Sequence, residues 1–156
     1  MRRAPRPLTL ESKEREPKII AMKSILKTSG FVLGLSLLTA SAAPKKVDVS
    51  KLPPVSDKTG VTYMTDMKPI FQKACVKCHG PEKQKANLRL DSLAAALKGS
   101  DNGPVIVPAD SAKSKLVHNI ARLGAKDEYM PPPGKGDPLT KEQIGLIRAW
   151  IDQGAK

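Results

Sequence analysis

The chain has 156 residues, with 27 Lys/Arg against 15 Asp/Glu for a net charge of +12, and only 3% aromatic residues. Its two cysteines cannot build a disulfide framework, which excludes a stapled secreted scaffold, and the length suits one domain with a tail. The basic residues are scattered and stacking rings are scarce, so the sequence lacks the concentrated basic face of a nucleic-acid binder; the excess points instead to an acidic protein partner.

Residues 1–21 show no apolar period and read as an extended or mis-assigned N-terminus, with Met22 as the working start. From Met22, Lys23 and Lys27 precede an apolar run over Phe31–Leu38, and Ala40-Ser41-Ala42 follow. That order of basic, apolar and small is the pattern of a secretory signal peptide over residues 22–42. The apolar run is too short to span a membrane comfortably. The mature chain is therefore expected to be exported, periplasmic or otherwise outside the cytoplasm, without a membrane span. Eight Lys/Arg against three Asp/Glu fall in residues 1–42, which leaves 19 against 12, or +7, on residues 43–156.

Residues 43–62 are rich in Pro and Lys without a sustained period and read as a flexible leader. From Tyr63 the pattern tightens: Met67, Ile70, Phe71 and Ala74 recur at i, i+3, i+4 and i+7, one face of a helix. Thr65 or Asp66 is its candidate cap, and Pro69 falls in the first turn. Continued, this helix carries Cys75, Cys78 and His79 on one face. "NLRL" reads as extended, Asp91 as the N-cap of a short Ala/Leu helix ending at Gly99, and "VIVP" as an extended piece. Ser111 or Ser114 opens a further helix with Leu116, Val117, Ile120 and Leu123 apolar and Gly124 at its end; His118 lies off that stripe and reads as solvated. "YMPPPGKGDP" is a stiff non-helical loop. In the last element Thr140 and Gln143 have capping-box spacing, and Ile144, Ile147, Trp150 and Ile151 form a broad apolar face. Four short helices with so few apolar residues make a poor core from side chains alone, and a large apolar cofactor would remedy that.

Both cysteines and one of the two histidines stand together in "KACVKCHGPE", residues 73–82. A Cys-x-x-Cys serves dithiol redox exchange, zinc binding or covalent haem attachment. Dithiol exchange wants a strand leading into a helix that starts at the first cysteine, but the motif here follows a helical pattern. Zinc wants four ligands, and His118 is the one histidine left. Haem attachment uses everything present: two thiols for two vinyl groups, and His79 for the iron. For the sixth position of the iron there are Met64, Met67 and Met130. Met67 and Met64 belong to the first helical pattern and read as core filler. Met130 precedes three prolines in a loop poor in hydrophobes, where a stiff backbone limits the entropy lost on ligation.

The stretches "PIFQKACVKCHGPEKQKANLRLDSLAAAL", "GPVIVPADSAKSKLV" and "MPPPGKGDPLTKEQIGLIRAWIDQGA", in that order, make residues 63–156 resemble a class I c-type cytochrome domain of the planctomycete and verrucomicrobial type. The resemblance implies a small all-α, cytochrome c-like fold of about four short helices with long loops wrapped around one haem. It implies one covalently bound haem c, carried by Cys75 and Cys78, with His79 as proximal and Met130 as distal ligand of the iron. Trp150 and the closing helix would pack against the first helix near the cofactor. Ala109 departs from the pattern, standing where glycine is frequent after "VP". With both axial positions filled, the expected function is one-electron transfer with an acidic redox partner, rather than catalysis. The alternatives are a haem enzyme or gas sensor with an open sixth position, and an electron-transfer subunit of a periplasmic dehydrogenase.

Overall fold

The computed structural model describes residues 46–156, so the expectations for residues 1–21 and for the signal peptide over 22–42 lie outside the described residues. The described residues form four α-helices and no strand: α1 Lys68–Ala74, α2 Leu93–Lys98, α3 Lys115–Ile120 and α4 Lys141–Asp152. They make the small all-α fold that the sequence implies. None of the described helices is long and apolar enough to cross a membrane.

A π-helical turn over Tyr63–Met67 leads into α1. Thr62, rather than Thr65 or Asp66, caps it, with its hydroxyl accepting from the Thr65 amide at 3.3 Å. Asp66 faces back: its carboxylate accepts from the Thr62 amide at 2.9 Å and the Thr65 hydroxyl at 2.7 Å, and pairs with Lys58. The Lys58 ammonium beside it, helped by Thr62 and Thr65, holds the Asp66 carboxyl down to about 2. Pro69 sits in the first turn of α1, where a missing N–H costs no intrahelical bond. In α4 both halves of the capping box close, the Gln143 amide on the Thr140 hydroxyl at 3.3 Å and the Thr140 amide on the Gln143 side chain at 3.0 Å. Ser92, one residue beyond the expected Asp91, caps α2, because Asp91 is taken up by Arg89 at 2.6 Å.

The core lies between α1 and α4. Trp150, Phe71, Met67, Ile147, Ile151 and Val117 are fully buried. The Trp150 ring meets Phe71 edge-on at 6.1 Å and Tyr63 at 6.1 Å, aromatic geometry that adds to area burial. Met67 is core filler as expected, but Met64 is 63% exposed, because it falls on the outer side of the π-helical turn.

Two further expectations change. His118 is half-buried rather than solvated, with Nε2 2.6 Å from the Ala112 carbonyl oxygen, because the 3₁₀ turn Ser111–Lys113 folds back over it. The segment 43–62 is not a loose leader where it is described. Leu52 and Val61 are buried, the Ser56 amide donates to the Gly145 carbonyl at 3.1 Å, and Arg148 donates to the Pro53 carbonyl. The Gln153 side chain bonds the Val61 amide at 3.2 Å and the Lys58 carbonyl at 2.8 Å. The strap is held through its backbone, by groups of α4, and so leaves no apolar period in its own sequence.

Gly145 makes that crossing possible: a Cβ there would stand 2.6 Å from the Pro54 carbonyl oxygen. Gly145→Ala in an open helix would gain about 1 kcal/mol. Here the clash is with backbone, and the expected result is a loss of about 1–3 kcal/mol, read as a Tm lowered by at least about 4 °C. A raised Tm would show that the strap does not pack on α4.

Candidate functional site

Helix α1 ends at Ala74, and Cys75, at φ −124°, is its C-cap. The helical face expected to run on through His79 is therefore a turn instead. The Cys78 and His79 amides both donate to the Cys75 carbonyl, at 3.0 and 2.9 Å. The turn still brings the three side chains to one place, since Cys75, Cys78 and His79 all line a single cavity of about 610 Å³. The size is in the range that takes a cofactor-sized ligand.

Loops build much of the rest of the cavity wall. After His79 the chain folds back, with the Leu90 amide on the His79 carbonyl at 2.7 Å and the Lys85 amide on the Cys78 carbonyl at 3.1 Å. Two left-handed residues, Ala86 at φ 53° and Asn87 at φ 52°, complete the reversal. It presents Leu88 and Leu90 to the cavity, joined by Leu116 and Ile120 of α3. These four leucine and isoleucine walls were readable as apolar positions but not as site residues; the i, i+2 spacing of Leu88 and Leu90 was the available signal. Met130 lines the same cavity, whereas Met64 and Met67 do not. Trp150 packs on Phe71 of α1 in the core, as expected, without lining the cavity, while Leu139, Thr140 and Gln143 at the start of α4 reach the lining.

The chemistry of the donor set is distinctive. Cys75 and Cys78 are free thiols. Burial pushes the Cys75 thiol up to about 12, the reverse of the acidified thiol that dithiol exchange requires. Burial also pushes the His79 imidazole below its ordinary value, against a smaller pull from the neighbouring Leu88 and Lys85 carbonyls. The neutral ring is the form that binds a metal. His79 Nδ1 is buried with no hydrogen-bond partner among the described residues, and an unpaired buried nitrogen calls for an explanation. No group of three or more His, Cys, Asp or Glu side chains is assembled among the described residues, so the protein ligands of a structural zinc are not gathered there. An apolar cavity with two thiols, one neutral imidazole and one thioether on its walls fits a haem c.

Gly80, which the sequence reading passed over, fixes the turn. A Cβ there would stand 2.5 Å from the Val76 carbonyl oxygen and 2.7 Å from a Val76 methyl. Gly80→Ala is expected to push against the Cys75–His79 turn and cost about 1–3 kcal/mol. Gly136→Ala, whose Cβ would meet Pro131 at an ordinary 3.4 Å, is the control and should stay within about 0.5 kcal/mol. Thermal melts of the two variants check this; equal stability would mean that the turn does not need its glycine.

Comparison with known proteins agrees with the geometry. The family model described as Planctomycete cytochrome C matches residues 75–134, from the first cysteine to just past Met130. No curated protein and no solved structure matches the chain. Residues 75–134 are thus similar to a cytochrome c domain of the planctomycete type, a family of haem-binding electron-transfer proteins.

Proposed function

We propose that this protein is an exported one-electron carrier with a single haem c, held by Cys75 and Cys78 and ligated by His79 and Met130. The observation that carries the reading is the convergence of these four side chains on one cavity. When bound, the haem supplies a one-electron iron couple, and the thioether ligand helps raise its potential.

The roles of the chain's own residues follow from their surroundings. The Cys75 and Cys78 thiols tether the group to the end of α1, which the core holds still. His79 offers a neutral imidazole because its ring is buried. Met130 offers a soft sulfur from a proline-stiffened loop. Leu88, Leu90, Leu116 and Ile120 exclude water from the space between them. With His79 and Met130 both holding the iron, no ligand position would be left for a substrate, which favours electron transfer over catalysis.

The surface supports an acidic partner. Lys73, Lys77, Lys83 and Lys85 flank the Cys-x-x-Cys-His turn, all exposed and none in an ion pair among the described residues, with Glu82 the one acid between them. On the other rim Lys115 is paired with Glu128 at 2.6 Å, and Asp127 and Asp137 balance Lys135. The basic edge is therefore the thioether edge, and complementary charge there would steer association and orient the docked pair. Export rests on the signal-peptide pattern that begins at Met22.

The test is spectroscopic. Oxidised protein is expected to show the weak far-red iron–sulfur charge-transfer band and to bind carbon monoxide poorly when reduced. Met130→Ala should abolish the band, lower the potential and open the iron to carbon monoxide, whereas Met67→Leu should change none of these, since a buried methionine tolerates leucine. Ready carbon monoxide binding by the parent, or loss of the band in Met67→Leu alone, would overturn the assignment.

A further inference from the structure

Helix α3 ends in a conformation that its own sequence does not favour. The Leu123 amide bonds the His118 carbonyl at 3.1 Å and the Arg122 amide bonds the Asn119 carbonyl at 3.2 Å. This is a Schellman closure, whose left-handed residue is usually glycine. Here that residue is Arg122, at φ 57°, where a Cβ is sterically unwelcome. Gly124, only two positions on, does not take the role.

The arginine side chain runs to the loop that carries Met130. Nη2 of Arg122 donates to the Pro131 carbonyl at 3.3 Å, and the guanidinium carbon lies 5.8 Å from the centre of the Tyr129 ring. Between those two contacts, the Met130 amide donates to the Asn119 carbonyl at 3.1 Å. The end of α3 thus grips three consecutive residues, one on each side of Met130 and Met130 itself. The grip is local to the cavity, since Asn119, Met130 and Pro131 all line it. Arg122 keeps these contacts although its Nε is buried without a partner among the described residues, an unfavourable state for a charged group.

We propose that Arg122 is a positioning residue for Met130: its guanidinium, anchored on Tyr129 and Pro131, keeps the loop closed so that the thioether stays directed to the cavity. This rests on the reading of Met130 as the sixth iron ligand. A hydrogen bond from a charged donor and a cation–π contact are both modest alone. Acting on the two neighbours of one ligand, they oppose each excursion in which the sulfur leaves the iron.

Glycine suits the left-handed backbone, so Arg122→Gly removes the guanidinium without straining the end of α3. The experiment is a titration of the oxidised, haem-loaded protein with imidazole, which competes with the Met130 sulfur for the iron. Arg122→Gly is expected to bind imidazole about tenfold more tightly than the parent, the order expected for losing one charge-assisted hydrogen bond, with a weakened far-red band. Arg122→Asn, which also tolerates the left-handed conformation and lacks the guanidinium, should change in the same direction. Parent-like imidazole affinity and an intact band in both variants would overturn this inference and leave Met130 ligation standing. A parent with no band, unaltered by Met130→Ala, would overturn the ligand reading and this inference together.

Discussion

The aromatic cluster of Trp150, Phe71 and Tyr63 is the contact on which the rest of the structure depends. Trp150 packs on both partners at 6.1 Å, and Phe71 and Tyr63 stand 6.2 Å apart. The same junction is closed by polar bonds: Trp150 Nε1 and the Tyr63 amide both donate to the Lys156 carbonyl at 2.9 Å. Helix α1 is too short to be stable alone, so this packing on α4 gives it a fixed direction. The end of α1 is where the two thiols leave the helix, and the aromatic junction therefore decides where the cavity begins.

The cavity lined by Cys75, Cys78, His79 and Met130 separates the turn after α1 from α3 and from the loop before α4. Loops rather than helices form much of the wall, and each is tied by backbone groups. Ala109 illustrates how tightly these ties constrain the chain. It adopts φ 65°, a left-handed backbone that glycine takes more easily, and its amide donates to the Ile151 carbonyl at 2.8 Å. Ser111 continues the tie, with its amide and hydroxyl both on the Asp152 carboxylate at 2.7 and 2.9 Å. Segment 105–114 is thereby fastened along α4, and α3 follows from it with its apolar side towards the cavity.

Features that follow from local spacing were legible in the sequence. The Thr140/Gln143 box, the apolar stripe of α1 and the clustering of Cys75, Cys78 and His79 all depend on residues a few positions apart. Met130 stood out because prolines follow it, and it lines the cavity as Met64 and Met67 do not. Features that depend on what lies across the fold were not legible. The strap over residues 49–61 uses its backbone carbonyls and amides, which every sequence has, and the specific partners are Gly145, Arg148 and Gln153 nearly a hundred positions away. The helix expected through Cys75 stops at Ala74 because the Val76 amide, like that of Cys75, turns to the Phe71 carbonyl. Arg122 gave no signal at all, since an arginine after a helix reads as a solvated charge until its neighbours are known.

The central claim is that Cys75 and Cys78 hold the haem by covalent bonds, and it is tested most directly by mass analysis of the haem-loaded protein after denaturation and acid-solvent extraction. The account predicts that one haem remains on the polypeptide and maps to the peptide that contains both cysteines. Haem that extracts freely while both thiols stay open to alkylation, or zinc bound in its place, would contradict it.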